Sequence, residues 1–263
     1  MQKMHDIMRK GVSVLAMAGL GLLLLLVCPA QAQGLRVAAA SNLKFVLAEL
    51  ETRYRQQGGP AVEFSWGSSV HLARQIRQGL PVQLFISADE AQVAWLAQAG
   101  MTLDAGQRYA LGRLAMISLK SSAIPWAQGP KAALQALRPT DKLAIANPQL
   151  APYGLAAQEL LQTLGVWERV RAQLVLGDNI GQATQFVLSG AAPLGITAYS
   201  LTRAPEAASR LQVWPVPPSL HAPLPQRLVL IKGAGAQATA FRDFLLGPIA
   251  RPVWEQHGYA LPS

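Results

Sequence analysis

Four times along the chain an apolar, strand-like run gives way to small or hydroxyl-bearing residues just where helical apolar spacing begins. The junctions are Val37-Ala38-Ala39-Ala40-Ser41-Asn42, Phe64-Ser65-Trp66-Gly67-Ser68-Ser69, Asn147-Pro148 through Pro152-Tyr153-Gly154, and Gly177-Asp178-Asn179-Ile180. This alternation restricts the fold more than any single residue does. It is the signature of parallel strands covered by helices. In open sheets of that kind ligands bind beyond the carboxyl ends of the strands, where these junctions fall. A helix N-terminus has unpaired N–H groups and a positive dipole end, so it can hold an anion without a charged side chain.

The series begins with an apolar strand over Leu35–Ala40 and a helix over Leu43–Gln56, with Phe45, Leu47, Leu50 and Tyr54 at helical spacing. Strands at Ala61–Trp66 and Gln83–Ser87 alternate with helices at Val70–Gln78 and Ala91–Ala99. One long strand is predicted over Leu111–Leu119, followed by a loop over Lys120–Pro130. A second series then places strands at Lys142–Ala146, Gln173–Leu176, Leu194–Thr197 and Leu211–Val216, with helices at Leu155–Leu164 and Gly181–Ser189. A last strand at Leu228–Ile231 and a helix at Gln237–Leu246 need a sheet to cover, so they are expected to return to the first lobe. The predicted organisation is therefore 33–111 as the first part of lobe 1, 112–221 as lobe 2, and 222–263 as the return segment of lobe 1. Two connections between lobes, near Leu111 and Pro217–Pro225, permit hinge closure on a ligand.

Residues 1–32 read as an export leader. Lys3, Arg9 and Lys10 precede an apolar stretch from about Val12 to Val27, and Ala30-Gln31-Ala32 offers a cleavage site near Ala32. An uncleaved anchor is the alternative, but the stretch is short for a span of about 20 residues. Cys28 has Pro29 after it and no small residues before it, unlike a lipidation site. It is the only cysteine, so the mature chain carries no thiol, disulfide or cysteine-ligated metal. The net charge of +9 includes three basic residues and one acidic residue of the leader, leaving +7 on the mature chain. Basic residues are scattered without a run of four, which argues against nucleic acid as a partner. An exported location follows.

At the junctions, Ser41 with Asn42 and Ser68 with Ser69 admit two readings. They are plain helix caps, for which Ser and Asn are favoured, or they are donors to a bound group. Pro152 sets the chain direction before Tyr153, which has a main-chain N–H, a hydroxyl and an apolar ring to offer. Ile180 has no polar side chain, so its contribution is its main-chain N–H. Asp89 is expected to cap the helix that follows it, because next to an anion it would repel.

The segments Val37–Asn42, Gly67–Gln75 and Leu84–Asp89, with Asn147-Pro148, Ala151–Gly154, Gly177–Ile180 and Ala192–Ile196, resemble the periplasmic molybdate-binding proteins of ABC transporters. The resemblance runs in order through residues 35–260. It implies a two-lobed type II periplasmic binding protein of the α/β class. Its mixed, mostly parallel sheets would carry helices on both faces, with the ligand cleft between the lobes. It implies capture of molybdate, and of tungstate, for delivery to the membrane permease of an ABC importer by a monomer with no enzymatic activity and no cofactor. Carried over by position, Ser41 and Ser69 would donate hydroxyl and backbone N–H bonds, Tyr153 and Ile180 main-chain N–H groups, and Asn42 a further polar contact. One branch of the family has a tyrosine where Ala198 stands here; Tyr199 falls one residue late and is left outside the expected site.

Several other chemistries find little support. No Gly-x-Ser-x-Gly motif surrounds Ser68-Ser69, and no phosphate loop with Gly-Lys-Ser/Thr is present. His71, His221 and His257 lack metal-ligand spacing. A serine hydrolase using Ser69 and His71, a ferric-ion binder, and a binder of sulfate or another tetrahedral oxyanion stay open as alternatives. The six tryptophans are read as core or lobe-packing residues.

Overall fold

The structure, a computed structural model, describes residues 34–262; the leader assigned to residues 1–32 lies outside the described residues. In chain order the strands are β1 (Leu35–Ala40), β2 (Val62–Gly67), β3 (Leu84–Ser87), β4 (Gln107–Gly112), β5 (Leu114–Leu119), β6 (Leu143–Ala146), β7 (Leu174–Gly177), β8 (Leu194–Ala198), β9 (Leu211–Pro215) and β10 (Leu224–Leu230). The helices are α1 (Lys44–Gln56), α2 (Ser69–Arg77), α3 (Ala91–Gln98), α4 (Pro130–Gln135), α5 (Pro152–Thr163), α6 (Trp167–Val170), α7 (Ile180–Leu188), α8 (Pro205–Arg210), α9 (Ala236–Leu246) and α10 (Arg251–Gln256).

They form two five-stranded sheets, ordered β2-β1-β3-β10-β4 and β7-β6-β8-β5-β9. In each, four strands point the same way and one, β10 or β5, runs against them between its two neighbours. The central strands β1, β3, β6 and β8 are almost wholly buried, which explains their unbroken apolar sequences. The chain passes from the first sheet to the second between Gly112 and Leu114, and returns between Pro215 and Leu224.

The predicted strand Leu111–Leu119 is two strands. β4 ends at Gly112 in one sheet and β5 starts at Leu114 in the other, and apolar pattern alone cannot reveal that break. The loop expected over Lys120–Pro130 gives way at Pro130 to α4, with proline in the first helical turn, where its missing N–H is harmless. The closing strand is also longer than predicted: β10 starts at Leu224 and contains a bulge between Gln226 and Arg227 where it pairs with β4.

One apolar cluster runs through both lobes, joining Leu47, Leu50, Phe241 and Trp254 to Met116, Ile145 and Leu160. Smaller clusters around Phe85 and Val187 cover the remaining sheet faces. Two expected core residues lie outside. Phe45 is 38% and Trp66 37% exposed. Trp66 sits at the end of edge strand β2 and stacks on Phe64, with ring centroids 4.9 Å apart.

Candidate functional site

Small residues at the strand ends let the helix N-termini crowd together. A Cβ on Gly154, in the first turn of α5, would collide with the Ala146 carbonyl at the end of β6. One on Gly177, at the end of β7, would lie 2.7 Å from the Ala183 backbone nitrogen of α7. With glycine at both places, two helix starts from lobe 2 face the β1 and β2 ends of lobe 1. Ser41, Asn42, Ser69, Tyr153 and Ile180 line one cavity there, together with Ser68 and Pro152. Its volume is about 10 Å³, room for about one water-sized sphere and far below the several hundred Å³ of organic-ligand pockets. No Arg, Lys, Asp or Glu lines it.

The two readings of the hydroxyl pairs separate here. Ser68 is the cap of α2: its Oγ accepts the His71 N–H at 3.3 Å. Ser69, 1% exposed, is free of that duty, and its Oγ accepts the Ala88 N–H at 2.9 Å. Asn179 likewise caps α7 by accepting the Gln182 N–H at 3.1 Å, which leaves Ile180 as its first residue. Ser41 caps nothing; its Oγ accepts the Gly181 N–H from the opposite lobe at 3.3 Å. Among the described residues neither Ser41 nor Ser69 gives its own proton to an acceptor. A hydroxyl already accepting an N–H has its O–H left as a donor. The main-chain N–H groups of Ser69, Tyr153 and Ile180 open their helices, where none has an intrahelical partner. The cavity is thus lined by donors and dipole ends.

The Asn42 side-chain nitrogen and the Tyr153 hydroxyl are engaged in a buried network beside the cavity. Asn42 Nδ2 donates to Gln226 Oε1 at 3.1 Å and to the Tyr259 hydroxyl at 3.0 Å. Gln226 Nε2 donates to the Tyr153 hydroxyl at 2.8 Å, and the Tyr109 hydroxyl donates to Gln226 Oε1 at 2.7 Å. Ser200 Oγ, from lobe 2, donates to the Asn42 carbonyl at 3.0 Å. Burial raises the pKa of Tyr109, Tyr153 and Tyr259, so all three hydroxyls stay protonated at neutral pH. This buried polar network joins the lobes directly under the cavity. A Cβ on Gly112, where the chain first crosses between sheets, would strike the Tyr153 hydroxyl and Gln226 Nε2.

Tyr199 stays outside the cavity. Its ring packs with the guanidinium groups of Arg113, 5.1 Å from its centroid, and Arg203, at 5.9 Å. Asp89 caps its helix as expected, accepting the Gln92 N–H at 2.8 Å.

A sequence profile of the bacterial extracellular solute-binding proteins matches residues 35–260. The chain belongs to this family. Among its relatives is the molybdate-binding protein ModA of Rhodobacter capsulatus, 34% identical over 98% of this chain and 99% of that one. The ModA of Azotobacter vinelandii is 36% identical over 90% and 94%. The solved structure of the periplasmic molybdate-binding protein of A. vinelandii superimposes with a TM-score of 0.79 at 33% identity, covering 87% of this chain and all of that one. The expected two-lobed binding-protein fold is the observed one.

In this solute-binding protein the sequence reading missed Gln226, Tyr109, Tyr259 and Ser200. Gln226 is a fully buried polar residue. Its signal in the sequence is a lone amide between Pro225 and Arg227 ahead of an apolar run.

Proposed function

We propose that this protein captures molybdate, and the like-shaped tungstate, between its lobes and hands it to the permease of an ABC importer. The observation that carries the reading is the lining: two hydroxyls with free protons and three helix-opening N–H groups converge on one small cavity that contains no charged side chain. Such a lining suits a compact, fully deprotonated oxyanion, and the cavity widens as the lobes part to admit its four oxygens. The relatives' names supply molybdate as the ion. Ser41 and Ser69 are assigned hydroxyl donation, and Ser69, Tyr153 and Ile180 main-chain donation. Nanomolar affinity requires about 12 kcal/mol, which about six charge-assisted hydrogen bonds of roughly 2 kcal/mol each can supply.

A neutral lining also has a rationale. Arg or Lys side chains would grip many anions, whereas fixed dipoles on rigid elements favour one size and protonation state. Sulfate, a smaller tetrahedral ion, is then separated by size. The remaining assignments of this reading are export to the periplasm through cleavage near Ala32, a monomeric state, no catalysis and no cofactor. Ser69 is placed poorly for a nucleophile, since its oxygen is held by Ala88 and no histidine side chain bonds to it among the described residues.

Calorimetric titration of the purified protein with molybdate, repeated in excess sulfate, is the test. One-to-one heat that survives sulfate supports the reading. Absence of heat with molybdate and tungstate would remove the ligand assignment and leave the fold untouched.

A further inference from the structure

The buried network holds an unresolved account. Asn42 is 1% exposed and lines the cavity, yet its Oδ1 is buried without a hydrogen-bond partner among the described residues. Its Nδ2 is spent on Gln226 and Tyr259, on the hinge side. The Tyr153 hydroxyl accepts from Gln226 Nε2, and its own proton reaches no acceptor among the described residues. A buried acceptor without a donor and a buried donor without an acceptor each cost free energy.

Both orphans disappear if the two amides turn over together. With Gln226 reversed, its nitrogen donates to Asn42 and to the Tyr109 hydroxyl. The Tyr109 proton then goes to the Ser87 carbonyl, already 3.0 Å away. The Gln226 oxygen now accepts the Tyr153 proton. With Asn42 reversed, its oxygen accepts from Gln226 and Tyr259, and its Nδ2 stands where Oδ1 stood. The contacts of Gln226 with Asn42, Tyr109 and Tyr153 and of Asn42 Nδ2 with Tyr259 are kept with direction reversed, while Tyr259 withdraws its proton from the Asn42 carbonyl, which still accepts from Ser200 Oγ. The group left over is Asn42 Nδ2, on a residue that lines the cavity, and an anion is an acceptor it can take.

We infer that Gln226 is the positioning residue of the ligand site: it sets the orientation of the Asn42 amide, and the pair turns over when the oxyanion arrives. The inference rests on the oxyanion reading above. The bulge in β10 at Gln226–Arg227 fits this role, because bulges re-aim a side chain beside functional sites. Since Gln226 also holds Tyr153 of the other lobe, the same rotation couples the arrival of ligand to the contact between lobes.

The test is a molybdate titration followed through side-chain amide NMR signals, with Asn42 and Gln226 assigned from their loss in Asn42→Ser and Gln226→Met. In the wild-type protein both amide pairs should shift and saturate at one equivalent. Molybdate-induced backbone shifts with both amides unmoved would overturn the inference and leave the oxyanion reading standing. No shift anywhere would overturn both. The second arm is Gln226→Glu, with affinity measured relative to wild type from pH 8 to pH 5.5. An ionised carboxylate only accepts, so it fixes Asn42 with its oxygen toward the cavity. The groups facing it are the hydroxyls of Tyr109 and Tyr153, which stay protonated, with Asp89 bearing on Tyr109. Affinity should fall at pH 8 by about ten- to a hundredfold, the equivalent of one charged hydrogen bond. It should recover toward pH 5.5 as the glutamic acid regains a proton to donate. A wild-type-to-variant ratio that stays flat with pH would mean that Gln226 is merely structural.

Discussion

Ser41 and Ser69 are assigned the same duty toward the ligand but hold different positions in the protein, and alanine substitutions should separate the two. Ser69 Oγ accepts the Ala88 N–H within lobe 1, in a fully buried setting. Removing it strands that N–H at a cost of about 1–3 kcal/mol to folding. For a chain of this size that lowers the melting temperature of the ligand-free protein by about 3–10 °C. Ser41 Oγ accepts the Gly181 N–H across the cleft, and that N–H is within reach of water once the lobes part. Ser41→Ala should therefore change ligand-free stability by less than about 0.5 kcal/mol. Each substitution removes one O–H donor to the anion, so molybdate affinity should fall by about ten- to a hundredfold in both. Scanning calorimetry without ligand and isothermal titration with it measure the two quantities separately. Equal loss of ligand-free stability in the two variants would refute the distinction drawn from Ala88 and Gly181, and unchanged affinity in both would refute their role as donors.

Gly154→Ala forces a methyl group into the Ala146 carbonyl and should cost about 1–3 kcal/mol in denaturant unfolding, as overpacking does. Gly112→Ala displaces the Tyr153–Gln226 contact, so it should weaken molybdate binding while both sheets persist by circular dichroism. Asp89 and Glu90 should respond to pH with opposite sign. Desolvation raises the Asp89 pKa, so its ionisation costs stability that is lost as pH climbs from about 4 through the folded value. Asp89→Asn keeps a helix cap and should stabilise at pH 7, with the gain vanishing near pH 3 in thermal melts. Glu90 is bonded to Arg108 at 2.8 Å and Arg227 at 2.6 Å, and Arg108 first, then Arg227, lowers its pKa. Its contribution is present above its ordinary value of 4.5 and lost as pH falls through the folded one, so Glu90→Gln should flatten the acid limb of the stability curve.

The parts of this fold that can be read from the chain are those whose cause is local. The strands β1, β3, β6 and β8 announce themselves because burial on both faces demands an apolar run. The four junctions are visible because close approach of a helix to a strand end demands small residues, as at Gly154 and Gly177. That is why Ser41, Ser69, Tyr153 and Ile180 could be picked out and were brought to one cavity. The lobe crossing near Leu111 is legible, but the division into two strands at Gly112–Arg113 is hidden because both sides of it are apolar. Trp66 looks like a core residue, but its exposure depends on β2 lying at the sheet edge. Gln226 was beyond reach for a stronger reason: its partners Tyr153, Tyr109 and Asn42 are 73, 117 and 184 residues away. Nothing local compels an amide there; only the meeting of two lobes does.

The same separation of local and long-range causes bears on selectivity. Ser41 and Ser69 each receive a backbone N–H before any ligand arrives, and this commits their remaining protons to donation. An anion carrying its own proton, such as hydrogen phosphate, needs an acceptor, and each serine oxygen keeps a single lone pair beside the O–H that the same anion would claim. Leaving that proton unpaired in a buried site costs about 1–3 kcal/mol, or roughly ten- to a hundredfold in affinity. The candidate acceptor at the cavity is Asn42 Oδ1, and it is available only while the Asn42–Gln226 pair keeps the orientation seen here. Once the pair turns over, the cavity loses that acceptor. Discrimination by protonation state is then a property of Gln226 at the hinge as much as of the residues lining the cavity, and the serines alone would not secure it.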